Sequence, residues 1–267
     1  MTSKKAKLIE RVKERIATGE NLPSYFKLNE RNEYIGWVSN LAVQVPPTKQ
    51  HLLKLDLHEV KDRFILFSLA GAWSHTGHWE NGAYFAVYLK DTSAAWTTDD
   101  WQNEGFVKSQ IDEARKWCKE LARELGRKKA RSFRNEFFDT TRLLAKAWDN
   151  IICELEKASL SAEWKKFADD LGKLEVLNYG TKTMSVKIPF ILRELRCQGV
   201  YDNIPGTLCC VADSRVCRVY KEVFDDPLPV DKLKASARIY EDWGDWYDLP
   251  AFALTGPRDL EVDLSEK

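Results

Sequence analysis

Two residue settings in this chain could do chemistry together. Lys182 lies in Tyr179-Gly180-Thr181-Lys182-Thr183, and Asp213 lies in Val211-Ala212-Asp213-Ser214-Arg215-Val216. A lysine just past a glycine turn, where a helix begins, sits near unpaired backbone N–H groups whose partial positive charge disfavours an ammonium. With burial this lowers its pKa toward a free amine, a nucleophile able to attack an electrophilic carbon and form a Schiff base. A carboxylate at the next helix start can support positive charge developing on that carbon. Each residue also has a plain reading, Lys182 as an exposed helical residue and Asp213 as the N-cap of a helix opening at Ser214. Cap and catalytic carboxylate are compatible, since one oxygen can cap while the other faces a site.

The elements that must hold these residues read as helices. Leu8, Val12 and Ile16 repeat at four-residue spacing before Gly19, the pattern of a helix face and its exit. Asp56 followed three residues later by Glu59 predicts a capping-box start for a helix through Phe64, Phe67 and Leu69. Further helices are expected over 98–125 with Gly126 as exit, 130–157, 161–171 opened by Ser161, 182–196 kinked at Pro189, 214–223 and 230–241. The best strand signal, 33–45, is apolar but lacks clean alternation or a hairpin partner, so helix is given more weight there; Pro46-Pro47 marks a junction. The expected fold class is all-α.

Composition narrows the function. The 267 residues allow one large domain or two modest ones, and 44% apolar content with ten Trp, twelve Phe and nine Tyr excludes a disordered tail. Forty-one basic against forty-one acidic residues leave no net charge, so nucleic acid could be held only locally and not by bulk electrostatics. Two basic stretches could do this: Lys4, Lys5, Lys7, Arg11, Lys13 and Arg15, and Arg127, Lys128, Lys129, Arg131 and Arg134. Both are also compatible with solvated helix faces. The six cysteines lack the dense spacing of a secreted scaffold and read as reduced. No apolar run suits a signal peptide or a membrane span of about eighteen residues, so an intracellular, soluble protein of cytoplasm or nucleoid is expected.

The hairpin and its surroundings carry a resemblance. Val176 to Thr183 resembles the helix-hairpin-helix of DNA repair glycosylases, which usually reads Leu-Pro-Gly-Val-Gly-x-Lys-Thr; here Leu177 stands for the proline and Asn178 for the first glycine. Asparagine tolerates the left-handed conformation such a turn needs. Backbone N–H groups of a hairpin at Asn178, Tyr179, Gly180 and Thr181 could cradle one DNA phosphate without a basic side chain. The chain around it is similar to the archaeal GO glycosylase family, 8-oxoguanine DNA glycosylases of the helix-hairpin-helix superfamily. The segment 211–216 is similar to that family's Pro-Val-Asp-Tyr-Arg-Val. Thr76-Gly77-His78-Trp79-Glu80 resembles the family's Thr-Gly, short insert and His-Trp-Glu, and the basic run at 127–131 falls between the two landmarks. The likeness covers about 55–223.

The resemblance implies a helix-hairpin-helix glycosylase fold of two helical subdomains with a cleft between them, 55–197 and 1–54 with 198–267. It implies excision of 8-oxoguanine from double-stranded DNA by a monomer, with an associated lyase step through a Schiff base. Lys182 and Asp213 would be catalytic, Trp79 would contact the extruded base, and Lys128 and Lys129 would contact DNA. Asp248 and Phe252 match the family's Asp-x-x-x-Trp base-binding pair, with phenylalanine for tryptophan and Pro250 between them; Val186 stands where a pocket phenylalanine is usual. No cofactor is implied: only Cys217 follows Asp213, so the four-cysteine iron–sulfur site of some relatives has no ligands. His75-x-x-His78 has metal-ligand spacing, but no cysteine or carboxylate cluster completes a site, and no metal is expected. Excision of another damaged base, or a non-catalytic helical DNA-binding or interaction module, are the alternatives.

Overall fold

A computed structural model of the chain describes residues 33–38, 41–45, 49–73, 79–92, 97–124, 126–178 and 186–254, with single positions at 10, 14, 17, 18 and 31. The chain is mostly helical. It divides into two compact units, 38–180 and 1–37 with 181–267, where the sequence reading set the edges at 55 and 197.

The 38–180 unit opens with a short strand pair, where the sequence reading gave helix more weight. Leu41–Val45 (β1) pairs antiparallel with Lys49–Leu53 (β2), Val43 facing His51. Pro46-Pro47 bars a helix through this stretch, and the partner strand was missed because its Lys-Gln-His-Leu-Leu carries no alternation. Val60–Trp73 (α1) follows, buried from Asp62 to Ala72. It starts later than expected. Asp56 accepts from the His58 N–H at 3.1 Å, while Asp62, not Glu59, reaches back to the Asp56 N–H at 2.8 Å. Around α1 pack Trp79–Thr92 (α2) and Asn135–Ser161 (α4), with Glu104–Glu124 (α3) between them in sequence. Phe64 and Phe67 meet Trp148 edge-on, at 5.1 and 5.3 Å between centroids, and Phe85 meets Phe133, Phe137 and Phe138 likewise. Such rings bury about 150–250 Å² each and carry the core.

Gly126 (φ +63) ends α3 as expected, its successor Arg127 donating back to the Ala122 carbonyl at 2.8 Å. Ser161 closes α4 instead of opening the next helix, its hydroxyl turned back to the Lys157 carbonyl. Trp164–Leu171 (α5) and Glu175–Asn178 (α6) complete the unit.

The other unit holds Lys187–Cys197 (α7), Ser214–Val223 (α8), Lys232–Trp243 (α9) and Leu249–Leu254 (α10). Pro189 does not kink α7. It is the third residue, where the missing N–H would have had no intrahelical partner. The segment 33–37 packs on α7: the Trp37 ring meets Phe190 at 5.4 Å and the Trp37 backbone N–H donates to Glu194 Oε2. Gly36 is required there twice over, by φ +87 and because a Cβ would lie 2.9 Å from Glu194 Oε2. Within the same unit, Trp243 Nε1–H donates to Tyr220 Oη at 2.9 Å, tying α9 to α8. The amino-terminal basic stretch falls almost wholly outside the described residues. Among those residues, no helix is long and apolar enough to cross a membrane.

Candidate active site around Asp213

The expected N-cap is present. Asp213 has extended backbone (φ −75, ψ 178), and its Oδ1 accepts from the Arg215 and Val216 N–H groups, both at 2.9 Å. Oδ2 takes no backbone donor among the described residues and has the Arg215 Nε at 3.9 Å, with the side chain 24% exposed. Burial raises the carboxyl above its ordinary range, against the Val216 hydrogen bond and the Arg215 charge. One oxygen is thus spent on the cap, and the other is paired at longer range with Arg215.

The three residues before Asp213 are each held by a side chain. Cys210 N–H donates to Ser236 Oγ at 2.8 Å, Val211 N–H to Asp248 Oδ1 at 2.8 Å, and Lys232 Nζ donates to the Ala212 carbonyl at 2.9 Å. Asp248 is itself buried and ion-paired with Arg193 Nη1 at 2.7 Å, while Arg193 Nε lies 3.4 Å from the fully buried Glu194. The residue named for base binding therefore sits inside a buried ion cluster. Pro250 lies in the first turn of α10 and is tolerated for the same reason as Pro189.

Lys182, Tyr179, Gly180 and Thr181 lie outside the described residues. Asn178 is the last residue of α6, Trp79 the first of α2, and Phe252 lies within α10; these three are described by backbone alone. Lys128 and Lys129 stand exposed on the bend after α3, flanked by exposed Arg127 and Arg134. Arg131 is turned inward, 4.1 Å above the Tyr84 ring and donating to Asn81 Oδ1. His75 and His78 lie outside the described residues, and among those that are described no group of three or more His, Cys, Asp or Glu is placed to hold a metal. All six thiols are unbridged, with Cys209 and Cys210 buried as packing. A cavity of about 520 Å³ at the end of α7, lined by Tyr34, Arg196, Cys197 and Tyr247 among others, includes none of the residues named for chemistry.

Lys187 is the residue that sequence reasoning missed. The first residue of α7, it is 4% exposed, and burial lowers its ammonium to about 8. Its position five residues after Lys182 was the available signal; its burial was not readable locally. Moving the group from 10.5 to about 8 costs about 3 kcal/mol at neutral pH. Between those values the unfolded chain binds more protons, so stability rises with pH there. Lys187→Met is expected to abolish that rise of stability between pH 8 and 10.5 in urea unfolding. A rise that persists unchanged in the variant would refute the burial cost.

The arrangement defines a helical protein with a partly buried carboxylate at a helix start. Comparison with protein-family models, with curated proteins and with solved structures returned no match.

Proposed function

We propose that the chain is a DNA glycosylase of helix-hairpin-helix type, with two helical subdomains, that removes oxidised guanine from duplex DNA and nicks the strand through a lysine Schiff base. The observation that carries this reading is Asp213: one oxygen holds the start of α8, the other is not used by the cap, and burial keeps the group in a medium of reduced dielectric. A carboxylate so held can stabilise an oxocarbenium-like sugar as the glycosidic bond breaks. The flipped base, stacked on Trp79, would leave with its bonding electrons and take up a proton. Lys182 would attack C1′. The nitrogen would then lose a proton and the C1′–O4′ bond would break, O4′ taking up a proton, to open the sugar as an iminium; this acidifies the C2′ proton, whose loss expels the 3′ phosphate and breaks the strand, and water then hydrolyses the imine to free the lysine. Base flipping costs a few kcal/mol and is cheapest at damaged pairs. Exposed Arg127, Lys128, Lys129 and Arg134 offer local phosphate contacts that the zero net charge does not preclude.

The low ammonium pKa of Lys187 supports a second reading of the same chemistry, in which that amine is the nucleophile. Borohydride reduction with an 8-oxoguanine duplex separates the two. The native chain is expected to give a covalent adduct that Lys182→Gln abolishes and Lys187→Gln retains. The reverse pattern assigns the amine to Lys187. A native chain that gives no adduct with any oxidised-base duplex is not a lyase, and a helical DNA-binding module becomes the better account.

A further inference from the structure

We propose that Ser236 and Lys232 of α9 are positioning residues that, with Asp248, hold residues 210–212 so that Asp213 enters α8 in one fixed attitude. The inference rests on the glycosylase reading only for what Asp213 does, not for how it is held. Residues 209–213 lie between the 3-10 turn Gly206–Leu208 and α8, in neither helix nor strand. Cys210, Val211 and Ala212 are buried, at 0%, 7% and 1% exposure, so their backbone groups cannot rely on bulk water. An unsatisfied buried amide or carbonyl is costly. Here the Cys210 and Val211 amides and the Ala212 carbonyl are met by Ser236, Asp248 and Lys232.

Two of these side chains are four residues apart and so share one face of α9. That face is fixed in turn: Asp231 caps α9 by accepting from the Lys234 N–H at 2.9 Å, and a Cβ on Gly206 would lie 2.2 Å from the Tyr240 ring, so α9 and the 206–208 turn are in direct contact. Ser236 is fully buried, which leaves its hydroxyl no competing solvent. The strap ends where Asp213 begins. A capping carboxylate is aimed by the backbone that delivers it, and a misplacement of about 1 Å at a reacting group can cost about 10²-fold in rate.

Ser236→Ala and Lys232→Met, made singly in the full chain, test this. Amide exchange at Arg215 and Val216, whose N–H groups donate to Asp213, is expected to quicken about 10-fold as the cap loosens locally, with little change in the unfolding midpoint. Single-turnover excision is expected to fall about 10²-fold with DNA affinity unchanged. Lys232→Arg should restore both, and neither variant should add to the loss caused by Asp213→Asn. Lys232 is partly exposed, so its replacement leaves the core intact should Ser236→Ala fail to fold. Unchanged exchange at those two amides in the folded variants overturns the strap, whatever the chain does to DNA. A native chain that excises no base overturns the glycosylase reading instead, and the exchange result still decides the strap.

Discussion

Asp213→Asn is expected to fold as the native chain does, to bind DNA with unchanged affinity and to lose about 10³-fold in single-turnover excision. Asparagine caps helices about as well as aspartate, so the two hydrogen bonds from Arg215 and Val216 have an acceptor in the variant. What disappears is the negative charge. The sign of the pH dependence follows from burial. Because the folded carboxyl titrates above the ordinary 3.8, its charge counts against folding as pH rises through that raised value, and removing the charge costs no stability at neutral pH. In the proposed mechanism excision uses the charged form, so the rate is expected to fall with acidification at a pH above the ordinary carboxylate range. Burial sets that limb first, with the Val216 hydrogen bond and the Arg215 charge pulling the carboxyl down and the Asp248 charge pushing it up. A variant that loses stability and activity in parallel would mean that Asp213 is a cap and nothing more.

The largest expected effect on stability comes from Arg193. Its guanidinium lies between Asp248 and Glu194, and all three are buried. Arg193→Met would leave two carboxylates in the interior without their cation, and breaking a buried pair in this way costs about 3–5 kcal/mol. In urea unfolding the midpoint should drop with an unchanged slope. A variant with native stability at pH 7 would show that the cluster is not what joins α7 to the start of α10. The cluster also bears on Asp248. A carboxylate already bonded to Arg193 and to the Val211 N–H through Oδ1 has a structural task whether or not it also meets a base.

Local signals were legible wherever a helix end is made by its own residues. The α8 boundary was readable because Asp213 supplies its own cap, and the end of α3 because Gly126 adopts positive φ without strain. Local reading failed where a distant partner or a chain direction decides. The strand pair 41–53 depends on pairing across Pro46-Pro47. Pro189 was read as a kink, because nothing within the segment shows that α7 begins at Lys187. The stretch with Lys182 lies outside the described residues, so the lysine half of the candidate site stands on the sequence resemblance.

The sequence by itself determined the helical class, the cap at Asp213 and the local character of any basic surface. These rest on periodicity, on capping chemistry within three or four residues and on summed charge, all of which act over short stretches or need no geometry. Only the tertiary structure decided that Asp248 is paired with Arg193 across 55 positions, that α9 reaches back to Cys210 and Ala212, and that Lys187 is buried. Desolvation and long-range hydrogen bonding depend on which surfaces meet. That is a property of the packed chain, and it is what turns a helix cap into a candidate catalytic carboxylate.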